Sequence, residues 1–218
     1  VNVYATEEEQ VEALKKWWKQ NAKSVLGGVL IGVAVIYGGK TWLQQHNRHI
    51  EVASAEYEAM IQDLKQDKNT EAADRGAAIL GQYTDTAYGA LTALAMAKIK
   101  VDENDLVAAK SQLQWALDNA KQEEIKLIAR LRLARVLNAE GKPDEALNLL
   151  NGVADAGKFA PAYDELKGDI YVAKGETEQA KTHYDLALQG LEPSSRARHY
   201  IEMKRDDLGL PAAEVEQS

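Results

Sequence analysis

Cysteine is absent from this 218-residue chain, phenylalanine occurs once, and there are only four prolines and four histidines. Each scarcity removes a class of explanation. Without cysteine there is no disulfide, no thiolate nucleophile and no cysteine-based zinc site. His46 and His49 stand three apart, a spacing able to chelate a metal, but no cysteine supports them and no HExxH is present, so they read as interfacial histidines. His183 and His199 are isolated in the sequence. There is no P-loop, and Gly27, Gly28 and Gly32 fall inside an apolar run rather than between a strand and a helix. Pairs such as Asp102–Glu103 and Glu123–Glu124 have the look of solvated helix ends, and Ser and His form no visible nucleophile arrangement. These residues lead us to expect no catalytic residue, no cofactor and no metal. The period-2 alternation of a strand is missing throughout.

The chain does have one long uncharged run, Ser24 to Gly39, bracketed by Lys23 and Lys40. At ~1.5 Å per residue a helix of that length spans roughly 24 Å, short of the ~30 Å hydrocarbon core. The flanks close the gap. Both lysines can lay their aliphatic stems in the membrane and lift their ammonium groups to the interface, which makes Ala22 to Leu43 the spanning unit. Trp17 and Trp18 on one side and Trp42 on the other stand where an aromatic belt belongs. Two other readings compete with a retained anchor. A buried core helix leaves the lysine and tryptophan brackets unexplained. A cleaved signal peptide conflicts with the long leading segment and its Glu7, Glu8, Glu9 and Glu12, and no small-x-small site follows Gly39 closely.

Positive charge sets the expected orientation. Lys15, Lys16, Lys19 and Lys23 precede the run, whereas Lys40 and Arg48 alone follow it closely. The positive-inside rule places the N-terminus in the cytoplasm and everything after about Leu43 outside, in the periplasm of a Gram-negative cell. Residues 1–10 read as a polar tail, and Val11 to Gln20 as a brief amphipathic helix at the interface with the lipid bilayer. Thr41 to Lys65 has neither Gly nor Pro, so the membrane helix is expected to continue as a stalk.

Of 34 acidic and 26 basic residues, four and six fall in residues 1–50, leaving residues 51–218 with a net charge of −10. A domain that acidic argues against nucleic acid as a partner, since phosphates call for a basic face. The same region is rich in Ala, Leu, Glu and Lys, a helical composition. Its punctuation predicts helices over 51–66, 70–82, 86–101, 105–119, 123–139, 143–156, 160–174, 176–190 and 194–208, with Gly141 and Gly175 at helix stops and Pro143 and Pro161 at helix starts.

Those helices repeat. Gly168, Tyr171, Gly175, Ala180, Tyr184, Ala187 and Pro193 follow the tetratricopeptide pattern. Thirty-four residues earlier, the first six positions become Ala134, Leu137, Gly141, Ala146, Leu150 and Val153. Ala97, Ala109, Leu113 and Ala116 fit one repeat further back after a three-residue adjustment, while 51–82 matches only in helical rhythm. The expected fold is therefore all-α, a single N-terminal transmembrane helix followed by a tetratricopeptide-like α-solenoid, with 194–208 as its cap. The boundaries are residues 1–21 for the cytoplasmic segment, 22–43 for the transmembrane helix, 44–208 for the periplasmic domain and 209–218 for a disordered tail.

Two sets of residues are candidates for partner contact. Lys98, Arg135, Asn138, Glu165 and Asp169 take groove-facing positions in the repeat register, the plain alternative being solvated helix faces. Gly28, Gly32 and Gly39 form, with Val35, one stripe along the membrane helix, the plain alternative being that glycine is common there.

The combination of QVEALKKWWKQNAK (10–23), GVLIGVAVIYGGKTW (28–42), YGALTALAMAK (88–98), LRLARVL (131–137) and KGDIYVAKGETEQAKTHYDLAL (167–188) resembles the YfgM family over nearly the full length. That resemblance implies an ancillary, non-enzymatic subunit of the SecYEG translocon in the inner membrane. Such a subunit pairs with the periplasmic chaperone PpiD and helps exported, unfolded polypeptides leave the channel. Some members of the family are also tied to envelope-stress signalling through RcsB. Two other function classes stay open on the residues alone. One is a tethered scaffold for a different envelope complex, and the other is an enzyme or enzyme subunit whose site sequence does not reveal.

The charge asymmetry generates a test. A reporter fused after Ser218 is expected to be active only outside the cytoplasm, and changing Lys15, Lys16, Lys19 and Lys23 together to Gln should weaken orientation or insertion. Cytoplasmic activity of the fusion would reverse the orientation.

Overall fold

The computed structural model describes residues 7–209, and these contain helices and turns but no strand. The helices are α1 (Glu7–Lys65), α2 (Asn69–Gln82), α3 (Ala87–Asp102), α4 (Leu106–Asn119), α5 (Glu123–Ala139), α6 (Pro143–Asn151), α7 (Ala160–Ala173), α8 (Thr177–Gln189) and α9 (Arg196–Asp207). The chain divides into two compact units, one ending at Val52 and the other beginning at Ala53. Most of the tail expected over 209–218, and residues 1–6 of the tail expected over 1–10, lie outside the described residues.

In the first unit α1 is unbroken, which corrects two expectations. Glu7 to Gln10 are helical rather than a tail, and no separate helix spans Val11 to Gln20. Nothing between Glu7 and Lys23 breaks a helix, and straight-chain Glu, Lys and Gln favour one. The five glycines from Gly27 to Gly39 do not interrupt it either. In water each would cost about 1 kcal/mol relative to alanine, but in hydrocarbon every backbone group must be bonded internally, and the helix is the way to do so. The polar residues at either end of the run bond back onto their own helix, Asn21 Nδ2 donating to the Trp17 carbonyl at 2.9 Å and Thr41 Oγ1 to that of Tyr37 at 2.8 Å.

The second unit is a series of helix pairs, the end of α1 with α2, then α3/α4, α5/α6 and α7/α8, closed by α9. Each pair turns through a residue with left-handed φ: Asp67 at 57°, Asn104 at 60°, Gly141 at 75° and Gly175 at 77°. The residue after each donates its N–H to the carbonyl five positions back, Lys68 to Asp63, Asp105 to Lys100, Lys142 to Leu137 and Glu176 to Tyr171, all within 2.8–3.0 Å. This is one helix-ending motif used four times, and it satisfies carbonyls the helix end would otherwise orphan. Gly and the short polar Asn and Asp are the residues that tolerate such a φ.

Five residues beyond each turn residue stands a fully buried alanine: Ala72, Ala109, Ala146 and Ala180. Seven residues before it stand Met60, Ala97, Ala134 and Gly168, all buried. The three later pairs thus match the repeat read from sequence. The pair ending in α2 does more than share a rhythm, because its turn and its alanine keep register at a spacing of 37 residues. At Gly168 a Cβ would overlap the Tyr184 ring, so the two helices cross where a side chain is missing.

One apolar core runs from α3 to α7 through residues such as Ala93, Leu113, Ala129, Ala134, Leu150 and Ile170. Smaller clusters flank it, with Met60, Ile79 and Met96 at one end and Tyr184, Leu188 and Ile201 at the other. Tyr163 ties α7 to α5 by donating its hydroxyl to the Leu127 carbonyl at 2.9 Å, and burial pushes that phenol up to about 12. Packing is mainly between helices adjacent in sequence, as a solenoid requires.

Helix α6 ends at Asn151 rather than at residue 156 as expected. Gly152 follows, and the Asp155 carboxylate accepts a bond at 2.7 Å from the N–H of Gly157, whose φ is +52°. That side-chain turn offers the backbone an alternative to helix and leads into a short 3-10 turn, Gly157–Phe159.

Ala134 and Ala180 are fully buried at the helix crossings. Ala134→Leu or Ala180→Leu should overpack them and cost ~1–3 kcal/mol, read as a lowered melting temperature of the solenoid. Unchanged melting would mean the crossings have room that the packing does not suggest.

Candidate interaction surfaces

On α3 and α5 the first helices of neighbouring pairs place Lys98 and Arg135 one 37-residue period apart, both exposed. They share a pocket of about 350 Å³ with Ala97 and Val101 of α3, Leu106 and Leu113 of α4, and Arg132, Val136 and Ala139 of α5. Its wall is almost wholly carbon and its charged residues are all basic. Arg132 Nη1 donates to the Leu94 carbonyl at 3.2 Å, which holds that guanidinium in place. Partial desolvation against its neighbours, and then the Arg135 charge, hold the Arg132 pKa below its usual value although the residue is exposed. Lys98 reaches Asp102 at 2.5 Å, but both side chains are more than half exposed, so the pair stabilises the fold little. Asn138 is half-buried beside this pocket in sequence without lining it, and its Oδ1 has no partner among the described residues.

Glu165 and Asp169 have a different surrounding. Both lie on α7 and both take Lys204 of α9, whose Nζ is 2.9 Å from Glu165 Oε1 and 2.8 Å from Asp169 Oδ1. Asp169 also accepts a bond at 2.7 Å from the buried Tyr184 hydroxyl. Burial first, and the Asp169 carboxylate second, push the Tyr184 phenol far above its usual pKa. Burial alone would lower the pKa of Lys204, but its bonds to Asp169 and Glu165 outweigh that and raise it. The ammonium also sits 4.5 Å from the centre of the Tyr200 ring. These two carboxylates therefore anchor the last helix. Sequence reasoning missed Lys204 and Arg132. Arg132 is visible one helical turn before Arg135, whereas nothing in the sequence pairs Lys204 with residues 35 and 39 positions earlier.

On α1 the apolar run is long and apolar enough to cross a membrane, and its most apolar stretch is not buried against the rest of the chain. A Cβ added at Gly28, Gly32 or Gly39 would meet open space. Leu30 and Ile36, off the stripe, are exposed as well. His46 stacks on Trp42 with ring centres 5.5 Å apart, and no cluster of three or more metal-binding side chains occurs among the described residues.

The tetratricopeptide repeat-like domain family matches residues 15–210. A Haemophilus influenzae protein named "Ancillary SecYEG translocon subunit" is 34% identical over 85% of this chain and 91% of its own length. The chain belongs to the YfgM family. Further relatives of that name come from Escherichia coli, 28% identical over 96% of this chain and all of the relative, and from Neisseria gonorrhoeae, 29% identical over 93% and 97%. A solved structure described as "Functional Characterization of Pseudomonas Aeruginosa pilF" superposes with a TM-score of 0.61 over 73% of this chain and 68% of its own, at 15% identity, a likeness of fold alone. The family match starts at residue 15, ahead of the apolar run, so it takes in that run and the helix pairs together.

The two carboxylates and the two cations should part company under mutation. Lys98→Ala and Arg135→Ala are expected to leave stability within about 0.5 kcal/mol of wild type. Asp169→Ala removes the acceptor of a buried hydroxyl and one anchor of Lys204, and should cost ~1–3 kcal/mol. Chemical denaturation of the three variants checks this, and equal costs would contradict the assignment.

Proposed function

We propose that this chain is a non-enzymatic ancillary subunit of the SecYEG translocon in the inner membrane. In this reading residues 22–43 span the bilayer, the N-terminus is cytoplasmic, and residues 44–208 form a periplasmic helical array that works with the chaperone PpiD on exported, unfolded polypeptides. The observation that carries it is similarity over nearly the full length to proteins named ancillary SecYEG translocon subunits, covering the apolar run as well as the repeats. The physical features agree. A tether plus stacked helix pairs makes an interaction device, because successive first helices present a long continuous surface to a partner.

Lys98, Arg135 and Asn138 are the residues we assign to partner contact on that surface. Glu165 and Asp169 contribute at its end, where they hold α9. In the membrane, Gly28, Gly32 and Gly39 provide the docking stripe. Lipid tails are as apolar as leucine side chains, so hydrophobicity gives two membrane helices no reason to associate, and close approach along small residues supplies the packing instead.

Copurification in mild detergent tests this reading. Wild-type protein should bring down SecYEG and PpiD, and Gly28→Leu with Gly32→Leu should abolish this without changing expression or the melting of the solenoid. The same change of bulk off the stripe, at Leu30 and Ile36, should do little. Wild-type recovery by the double glycine variant would move docking to another part of the chain, and failure of the wild type to recover SecYEG would end the proposal.

A further inference from the structure

The pocket between α3, α4 and α5 has a chemistry specific enough to define what enters it. Its floor, formed by Ala97, Val101, Leu106, Leu113, Val136 and Ala139, offers nothing to a polar group. Its rim carries Lys98 from α3 on one side and Arg132 and Arg135 from α5 on the other. Neither Arg135 nor Arg132 has a carboxylate partner among the described residues, and Arg130 and Arg196 lack one too, whereas Arg75, Arg198, Lys204 and Arg205 find one. This happens in a region whose net charge is −10, where acidic partners are plentiful. Two adjacent guanidinium groups left without a counter-charge beside an apolar floor favour an anion that also brings carbon.

We propose that this pocket binds a polypeptide segment carrying an aliphatic side chain flanked by acidic residues. The aliphatic group fills the floor, and the carboxylates reach Lys98 on one side and Arg132 and Arg135 on the other. A purely acidic ligand leaves the apolar floor wet, and a purely apolar one desolvates the rim cations without pairing them. Cations on both sides of the floor suit charges on both sides of the apolar group, rather than a single head group at one end of a tail. A volume of about 350 Å³ is enough for such a side chain. Breaking the exposed Lys98–Asp102 pair to release Lys98 costs little.

The inference rests on the partner-binding role assigned above to this surface, but its test contains no translocon component. The full chain is placed in discs of neutral phosphatidylcholine, and a short fluorescent peptide with leucines flanked by glutamates is titrated by anisotropy. It should bind at least about tenfold more tightly than versions with lysine for glutamate or serine for leucine, and salt should weaken it. Arg135→Glu should lower its affinity at least about tenfold, and Ala139→Phe, which fills the pocket without changing charge, should do the same, both with wild-type melting. Arg196→Glu on α9 should have no effect. Equal binding of the three peptides, no binding of any, or wild-type affinity in the Ala139→Phe variant would each overturn the proposal. Displacement of the glutamate peptide by phosphatidylglycerol vesicles would assign the rim to lipid and overturn it too. Peptide binding as expected together with no copurified SecYEG would sink the translocon reading alone. Copurification intact with no peptide binding would sink this inference alone.

Discussion

Three of the four helix pairs of the solenoid depend on two backbones approaching at a point where almost no side chain intervenes. Ala97, Ala134 and Gly168 on the first helices and Ala109, Ala146 and Ala180 on the second ones make that approach possible. The left-handed turn at Asn104, Gly141 or Gly175 then reverses the chain within a few residues. A pair so formed buries only one side of each helix. The next pair must cover the remaining apolar face, so the core can only be completed by stacking. The continuous cluster from α3 to α7 is what that requirement produces.

Stacking leaves an end to be closed, and α9 closes it by means beyond apolar contact. Ile201 is buried against α8, Arg198 donates to the Leu188 carbonyl at 2.9 Å near the end of that helix, and Lys204 gathers Glu165 and Asp169 from α7. A cap fixed by several charge-assisted bonds can present a polar outer side and still hold its position. The same arithmetic explains why the acidic surplus is not felt evenly. Carboxylates near α9 are matched by Lys204 and Arg205, while the α3–α5 face keeps a local excess of positive charge around carbon. A surface built in that way discriminates among partners by charge as well as by shape.

Much of the fold was legible in the residues. The all-α class, the order of helices, the apolar run and three of the four pairs followed from patterns of local origin: helix stops at Gly141 and Gly175, starts at Pro143 and Pro161, and small residues at fixed spacing. The fourth pair was harder, because its turn uses Asp67 rather than glycine and Met60 replaces the small residue of the first helix. The early end of α6 was missed because Asp155 and Gly157 compete with the helix through a side-chain bond that helix periodicity does not register. Of the candidate contact residues, Lys98 and Arg135 could be placed on one face by their spacing, since a repeat converts sequence distance into position.

The sequence by itself determined the class of the protein, its repeat, its absence of cysteine chemistry and the presence of a run able to cross a membrane. Those properties depend on periodicity and composition, which neighbouring residues carry. Only the tertiary structure decided that Glu165 and Asp169 serve α9, that Arg132 joins Lys98 and Arg135 around one apolar pocket, and that Tyr184 occupies the space above Gly168. Each of these joins side chains from different helices, and the pairing depends on how far each helix rotates and slides against its neighbour. That is set by the packing of the whole stack, which no local pattern encodes.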